Sequence, residues 1–119
     1  MADGGDPAPT HIAGLTGADW DALDWEFFRD GIEMHRIRDA DPAVALLRYA
    51  PGAAAPKHRH TGLETILVLS GAQSDERGKY VTGDLVLNPE GYEHSVWSDE
   101  GCVVLIQWEK PVAFLDGEG

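Results

Sequence analysis

The 119-residue sequence has one cysteine, few basic residues and no long apolar run. A single cysteine, Cys102, excludes an internal disulfide framework and any zinc site built from cysteine pairs. The 9 Lys and Arg residues stand against 21 Asp and Glu residues, which gives a formal charge of −12. Because such a surface should repel phosphate backbones and anionic lipid headgroups, we predict neither nucleic acid nor a membrane as a partner.

Signals for export or membrane insertion are also missing. The apolar runs at residues 44–47, 66–69 and 103–106 are far shorter than the roughly 20 residues that a spanning helix needs. The N-terminus has no basic stretch followed by an apolar one, which is the pattern of a secretion signal. We therefore predict a cytoplasmic protein. Its 119 residues have room for one domain, and a domain of this size can bury its own core.

Short apolar stretches separated by turn-forming pieces make up most of the chain. Residues 1–14 are rich in Gly, Pro and Asp and are predicted to be flexible, whereas residues 15–119 are predicted to form the single domain. The candidate strands read GIEMHRI, VALLRY, HRH, TILVLS, KYV, DLVLN, HSVWS, CVVLIQW and VAFL. Eight or more short strands with regular turns predict an all-β sandwich or barrel rather than βαβ units.

Two histidines and a glutamate precede the most apolar run, in the segment APKHRHTGLETILVLSG at residues 55–71. In a strand, His58 and His60 project to the same side because they lie two residues apart. Glu64 begins the next strand on its apolar face, and a hairpin between the two strands would bring its carboxylate back toward the imidazoles. His94 stands at the head of a later strand, HSVWS.

Three imidazoles and a carboxylate suit a divalent transition metal and leave one or two positions for water or substrate. We expect Fe(II) or Zn, while Mn, Ni, Co and Cu also fit such a donor set. A metal at the mouth of an apolar barrel would give a use to charges that are costly to bury unpaired. A His-x-His pair alone is more often a surface or core-edge pair, so the wider spacing has to decide.

That spacing resembles the two sequence signatures of the cupin superfamily. The first has intervals of five, one, three and six residues between Gly52, His58, His60, Glu64 and Gly71. The second has intervals of five, one and two residues between Gly83, Pro89, Gly91 and His94, with Ser98 in place of the usual asparagine. The resemblance covers about residues 44–108. It implies a small double-stranded β-helix, or jelly-roll, barrel with His58, His60, Glu64 and His94 as metal ligands.

The signature glycines also have a predicted backbone role. Gly71, Gly83 and Gly91 stand where turns need a positive φ, which other residues adopt at a cost.

Within the superfamily, the chain is similar to the branch that holds the cupin domain of ChrR-type anti-sigma factors and the acetylacetone-type dioxygenases. This similarity rests on Ser-Asp-Glu at 74–76, Asn88-Pro89 and Gly101-Cys102. ChrR-type regulators carry an additional N-terminal helical region that grips the sigma factor. The sequence does not show that region, so a regulatory protein is expected here as a detached metal or ligand sensor.

Two functions from different classes follow from this resemblance: a dioxygenase is the function that we expect, and a ChrR-like regulatory sensor is the alternative. In the first, an Fe(II)-dependent dioxygenase binds a small diketone or hydroxyketone as a chelating enolate, and Glu64 is either a fourth ligand or a hinged catalytic base. In the second, a closed four-ligand shell, typical of structural zinc, makes a ChrR-like sensor without catalysis. A non-oxidative isomerase or lyase would share the open site without needing iron. An open coordination position with a redox-active metal would separate the first two, and enzyme activity stays undecided at this point.

The expected partners are a small-molecule ligand or substrate and a second copy of the chain, since open strand edges are commonly covered by dimerisation. Side chains that are candidates for the cavity wall are Tyr92, Trp97, Gln107 and Trp108. Cys102 is predicted to be a small buried hydrophobe. His11 and His35 are predicted to be solvated, as are the acidic turns at 74–76 and 98–100.

Overall fold

The computed structural model describes residues 7–115, so part of the predicted flexible segment 1–14 and the last four residues lie outside it. Two short 3-10 turns, Leu15–Gly17 and Trp20–Ala22, precede ten strands. The strands are β1 (Glu26–Arg29), β2 (Ile32–Arg38), β3 (Ala43–Tyr49), β4 (Ala54–Arg59), β5 (Glu64–Asp75), β6 (Gly78–Val81), β7 (Leu85–Asn88), β8 (Glu93–Trp97), β9 (Cys102–Trp108) and β10 (Ala113–Phe114). Over this range no helix has the length and apolar character to cross a membrane.

The strands form two antiparallel sheets that share β5. The first sheet has the order β1-β2-β3-β9-β5-β7, and the second has the order β10-β4-β8-β5-β6. Residues 64–71 of β5 pair with β9 or β7, whereas residues 72–75 pair with β6, and 74–75 also with β8. This arrangement confirms the all-β jelly-roll barrel predicted from the sequence.

The core lies between the facing sides of the two sheets. Alternate residues of the central strands point inward, as the pleat requires. The buried cluster includes Ile32, Met34, Ala45, Leu47, Tyr49, Ala55, Ile66, Val68, Val96, Cys102, Val104 and Ile106. Each fully buried aliphatic side chain contributes roughly 1.5–3 kcal/mol. This apolar packing fixes the strands whose ends carry the polar residues described below.

Three details differ from the sequence-based expectation. Strand β1 was not predicted, because EFFR is short and leaves Phe27 74% exposed. Strand β5 continues to Asp75, through a piece that we expected to be a turn. The hairpin predicted between β4 and β5 is wrong: β4 pairs with β8 and β10, and the chain crosses from one sheet to the other through residues 60–63.

Gly71 marks the place where β5 leaves the first sheet for the second. The β5–β9 register shifts between Val68 and Ser70, and Gly71 itself has a φ of 72°. A Cβ at this position would lie 2.0 Å from the carbonyl oxygen of Gly101, the residue just before β9. Only glycine combines the left-handed φ with so close an approach of two backbones. The positive φ predicted for Gly83 and Gly91 is likewise confirmed.

Candidate metal centre

Strand pairing delivers the four predicted side chains to one buried place. In the β4–β8 ladder, His58 lies opposite His94. His60 follows β4, where its amide donates to the carbonyl of Tyr92 and its carbonyl accepts from the amide of Gly91. Glu64 begins β5. Between 1% and 5% of the surface of each of the four residues is exposed.

The donor atoms of these side chains converge. Ligand atoms of His58, His60 and His94 all lie within 4.8 Å of one another, so the three buried histidines could bind a metal ion. The Nε2 atoms of His60 and His94 are 3.0 Å apart. Glu64 Oε1 lies 3.1 Å from His60 Nε2 and 4.0 Å from His94 Nε2.

These separations fit a metal ion. His60 Nε2, His94 Nε2 and Glu64 Oε1 lie on a circle of radius about 2.0 Å. Metal–nitrogen and metal–carboxylate bonds are about 2.0–2.2 Å long, so an ion at the centre of this circle would be at bonding distance from all three atoms. Bonds of about 2.1 Å place neighbouring ligands about 3.0 Å apart at right angles but about 3.4 Å apart in a tetrahedron. The separations of 3.0 and 3.1 Å from His60 Nε2 are of this size.

Hydrogen bonds on the far side of two rings leave Nε2 free to bind. His58 Nδ1 lies 2.9 Å from the carbonyl oxygen of Pro56, and His94 Nδ1 lies 2.8 Å from Asp75 Oδ2. Both partners can only accept, so each Nδ1 carries the hydrogen and each neutral ring has an unprotonated Nε2. Burial lowers the pKa of His58, and the neighbouring His94 and His60 lower it further, which favours the neutral ring.

Glu64 is held from both sides by the strands that flank β5. Asn88, its partner across β7, donates from Nδ2 to Oε1 at 2.7 Å. Trp108, its partner across β9, donates from Nε1 to Oε2 at 2.7 Å. Burial raises the pKa of the Glu64 carboxyl, but hydrogen bonds from His60, Asn88 and Trp108 outweigh burial, so the pKa lies below its ordinary value. A carboxylate that is ionised and held on both sides is suited to be a metal ligand, whereas a hinged base would need freedom to move.

Asp75 is the site residue that the sequence analysis missed. We expected residues 74–76 to be a solvated turn, but Asp75 is buried and Glu76 alone of the three is exposed. Asp75 accepts hydrogen bonds from His94, Tyr92, Tyr80 and the backbone amide of Arg77. Burial raises the pKa of Asp75, and these hydrogen bonds bring it below its ordinary value. Burial and the bond to Asp75 raise the pKa of Tyr92 to about 12.

Two buried carboxylates make the centre acidic. Within residues 7–115, the ion pairs of Glu64 and Asp75 are with histidine alone, and no Lys or Arg reaches either carboxylate. A divalent cation among neutral imidazoles would balance the two negative charges, which is the condition for burying them at moderate cost.

Little space remains beside the donors. A cavity of about 20 Å³ touches His58 and Glu64, which is room for about one water molecule. A wider groove of about 300 Å³ lies beyond a wall that both spaces share, formed by Phe28, Trp108, Val112 and Phe114. Of the four predicted cavity residues, Trp108 lines the cavity, whereas Tyr92, Trp97 and Gln107 do not.

The remaining predicted residues lie away from the centre. Cys102 is buried as expected, and burial raises the pKa of its thiol to about 11. His11 is exposed, but His35 is half-buried and its Nδ1 lies 2.8 Å from the carbonyl of Asp24. Ser98, expected in a solvated turn, is fully buried and donates to the carbonyl of Ala72.

Residues 14–112 match the sequence model of the ChrR cupin-like domain. This chain belongs to the ChrR cupin-like domain family. It is 32% identical over 110 residues to the anti-sigma-E factor ChrR of Cereibacter sphaeroides, which is 90% of this chain and 52% of that protein. It is 31% identical over 85 residues to the DNA damage-repair/toleration protein DRT102 of Arabidopsis thaliana, covering 66% of this chain and 27% of that protein. The cupin-like chain thus spans about half, or less, of these curated relatives.

Solved structures show the same fold. ChrR in the crystal structure of Rhodobacter sphaeroides SigE in complex with the anti-sigma ChrR has a TM-score of 0.73 and 28% identity, over 85% of this chain and 57% of that one. An acetylacetone dioxygenase from Acinetobacter johnsonii has a TM-score of 0.79 over 100% of this chain and 86% of that one. Its identity is 13%, so this second likeness establishes the cupin fold and nothing about activity.

Proposed function

We propose that this chain is a metal-binding regulatory domain that holds one divalent transition metal, Fe(II) or Zn, through His58, His60, Glu64 and His94. The observation that carries the proposal is the common point about 2.0 Å from His60 Nε2, His94 Nε2 and Glu64 Oε1. His58 adds a fourth donor to the same cluster. The bound ion would act as a Lewis acid toward whatever ligand fills its remaining position.

A regulatory role is favoured over catalysis by the size of the cavity. Pockets that bury drug-sized ligands measure about 300–1,000 Å³, whereas the space beside His58 and Glu64 measures only about 20 Å³. A water-sized ligand fits there. The 32% identity to an anti-sigma factor supports the same choice. Because the chain spans about half of that relative, the proposal concerns the metal domain and names no protein partner.

A dioxygenase acting on a small diketone or hydroxyketone is the second candidate. The observation in its favour is the groove of about 300 Å³ behind Phe28, Trp108, Val112 and Phe114. A substrate that displaced this wall would reach the donor cluster, where a bound metal would act on it as a Lewis acid. In that case Glu64, fixed by Asn88 and Trp108, would act as a ligand rather than as a moving base.

Metal content tests the primary proposal. The protein is purified without a His-tag from cells supplied with iron, zinc, manganese, nickel and copper, beside His94→Ala and the control His35→Ala. We expect about one equivalent of metal in the wild type and in His35→Ala, and loss of metal in His94→Ala. Equal metal content in all three proteins, or none in the wild type, would contradict the assignment.

Oxygen uptake separates the two functions. The wild type is loaded with Fe(II) under anaerobic conditions and then exposed to oxygen with a panel of diketones and hydroxyketones. The regulatory proposal expects metal binding without oxygen consumption above that of free Fe(II). Uptake that depends on substrate and is lost in His94→Ala would replace it with the dioxygenase.

A further inference from the structure

Asp75 lies at the far end of β5 from Glu64, outside both sequence signatures. Its carboxylate nevertheless contacts His94, on the side of the ring opposite to the donor atom Nε2. Its two oxygens have different partners. Oδ1 accepts from the backbone amide of Arg77 and from the hydroxyl of Tyr80, each at 2.9 Å. Oδ2 accepts from the hydroxyl of Tyr92 at 3.0 Å and from His94 Nδ1 at 2.8 Å. Four donors therefore fix this buried side chain.

We propose that Asp75 is the positioning residue of His94: it holds the hydrogen of the imidazole on Nδ1 and so keeps the Nε2 lone pair directed at the donor cluster. Tyr80 and Tyr92 hold the carboxylate in place for this task. The consequence for metal affinity rests on the proposed function, whereas the location of the hydrogen on His94 does not.

The substitution Asp75→Asn tests this role because an amide has one oxygen and one NH2 group. The Arg77 amide can only donate, so the oxygen of the asparagine must occupy the Oδ1 position. The NH2 group then faces His94 Nδ1, which has to accept. The hydrogen of the neutral ring moves to Nε2, and the lone pair needed by a metal is lost. The volume of the side chain hardly changes.

The first readout is the hydrogen position in the metal-free protein. Long-range proton–nitrogen NMR at a pH where the ring is neutral assigns the tautomer of His94. We expect the Nδ1-protonated ring in the wild type and in the control Tyr80→Phe, which removes one donor to the other oxygen. In Asp75→Asn we expect the Nε2-protonated ring. A wild-type His94 protonated on Nε2 would overturn the proposal without any variant having to fold.

The second readout is zinc affinity, measured by competition with a chromophoric chelator. We expect Asp75→Asn to bind zinc about 10–100-fold more weakly and Tyr80→Phe to stay within a few-fold of the wild type. Thermal unfolding of the metal-free proteins shows whether Asp75→Asn is folded. If it is folded, keeps the Nδ1-protonated ring and binds zinc like the wild type, Asp75 has no positioning role. If the wild type binds no metal but shows the expected tautomers, the proposed function fails and this inference stands.

Discussion

Replacing Gly71 by alanine should damage stability and the metal centre together. Gly71 lies in the bend where β5 passes from one sheet to the other, between Glu64 and Asp75. A left-handed φ of 72° costs an alanine roughly 1–2 kcal/mol. Its Cβ would also lie 2.0 Å from the carbonyl oxygen of Gly101, whereas real contacts of this kind are longer by about 1 Å or more.

Relieving that overlap requires β5 and β9 to separate locally. Overpacking of this kind costs roughly 1–3 kcal/mol, so the total loss in unfolding free energy should be about 2–5 kcal/mol. Domains of this size are stable by about 5–15 kcal/mol in all. Since β9 carries Trp108, which holds Glu64, and the end of β5 carries Asp75, which holds His94, metal affinity should fall as well.

Gly83→Ala is the matched control, because Gly83 has a φ of 94° but no neighbouring atom within 4 Å of the position that an added Cβ would take. It should lose only the roughly 1–2 kcal/mol of the backbone strain. Urea unfolding of both variants without metal gives the free energies, and chelator competition gives the zinc affinities. If Gly71→Ala is destabilised by no more than Gly83→Ala, the close approach to Gly101 has no energetic weight and the reasoning is wrong.

Three further outcomes follow from particular side chains and from the open strand edges. A homodimer predicts a mass of about 26 kDa by light scattering, twice the 12.9 kDa of the chain, and a mass near 13 kDa would contradict it. Burial raises the pKa of Cys102 to about 11 in the folded state, so between pH 9 and 11 the unfolded state binds fewer protons than the folded state. The free energy of unfolding should therefore fall from pH 9 to 11, and it should fall less in Cys102→Ala. Phe114→Ala should speed the removal of zinc by excess chelator, since the Phe114 ring lies 5.5 Å from that of His58, whereas the control Phe27→Ala changes an exposed ring. Equal rates in the two variants would show that Phe114 does not limit access to the donor atoms.

The sequence predicts that the four side chains lie close together, because each lies in a short local pattern, and their role as metal ligands stays a prediction. The same-side projection of His58 and His60 follows from the pleat of one strand, and the apolar parity of β5 places Glu64 correctly. The predicted route of Glu64 was nevertheless wrong. The turn at 61–63 suggested a hairpin, but strand pairing between distant segments decides which sheet a strand joins, and β4 pairs with β8.

Asp75 could not be found in this way, for a physical reason. Ser-Gly at residues 70–71 is typical of a turn, so the sequence pattern ends β5 there. The structure instead uses Gly71 to bend the strand and continue it for four more residues. Whether a glycine ends a strand or bends it depends on the backbone opposite, here Gly101, which no local pattern specifies. The size of the cavity was equally hidden, because it depends on Phe28, Phe114 and Trp108 from three separate strands.

Strand β5 therefore explains how a small barrel places two carboxylates on opposite sides of one histidine cluster. Its first residue, Glu64, faces His60 and is held by the strands on either side. Its last residue, Asp75, stands behind His94 and is held by two tyrosines and a backbone amide. A straight strand of twelve residues would hold these ends about 36 Å apart, so the bend at Gly71 is what allows one strand to serve both. The conformation of a single glycine thus couples the stability of the sheet to the geometry of the candidate metal centre.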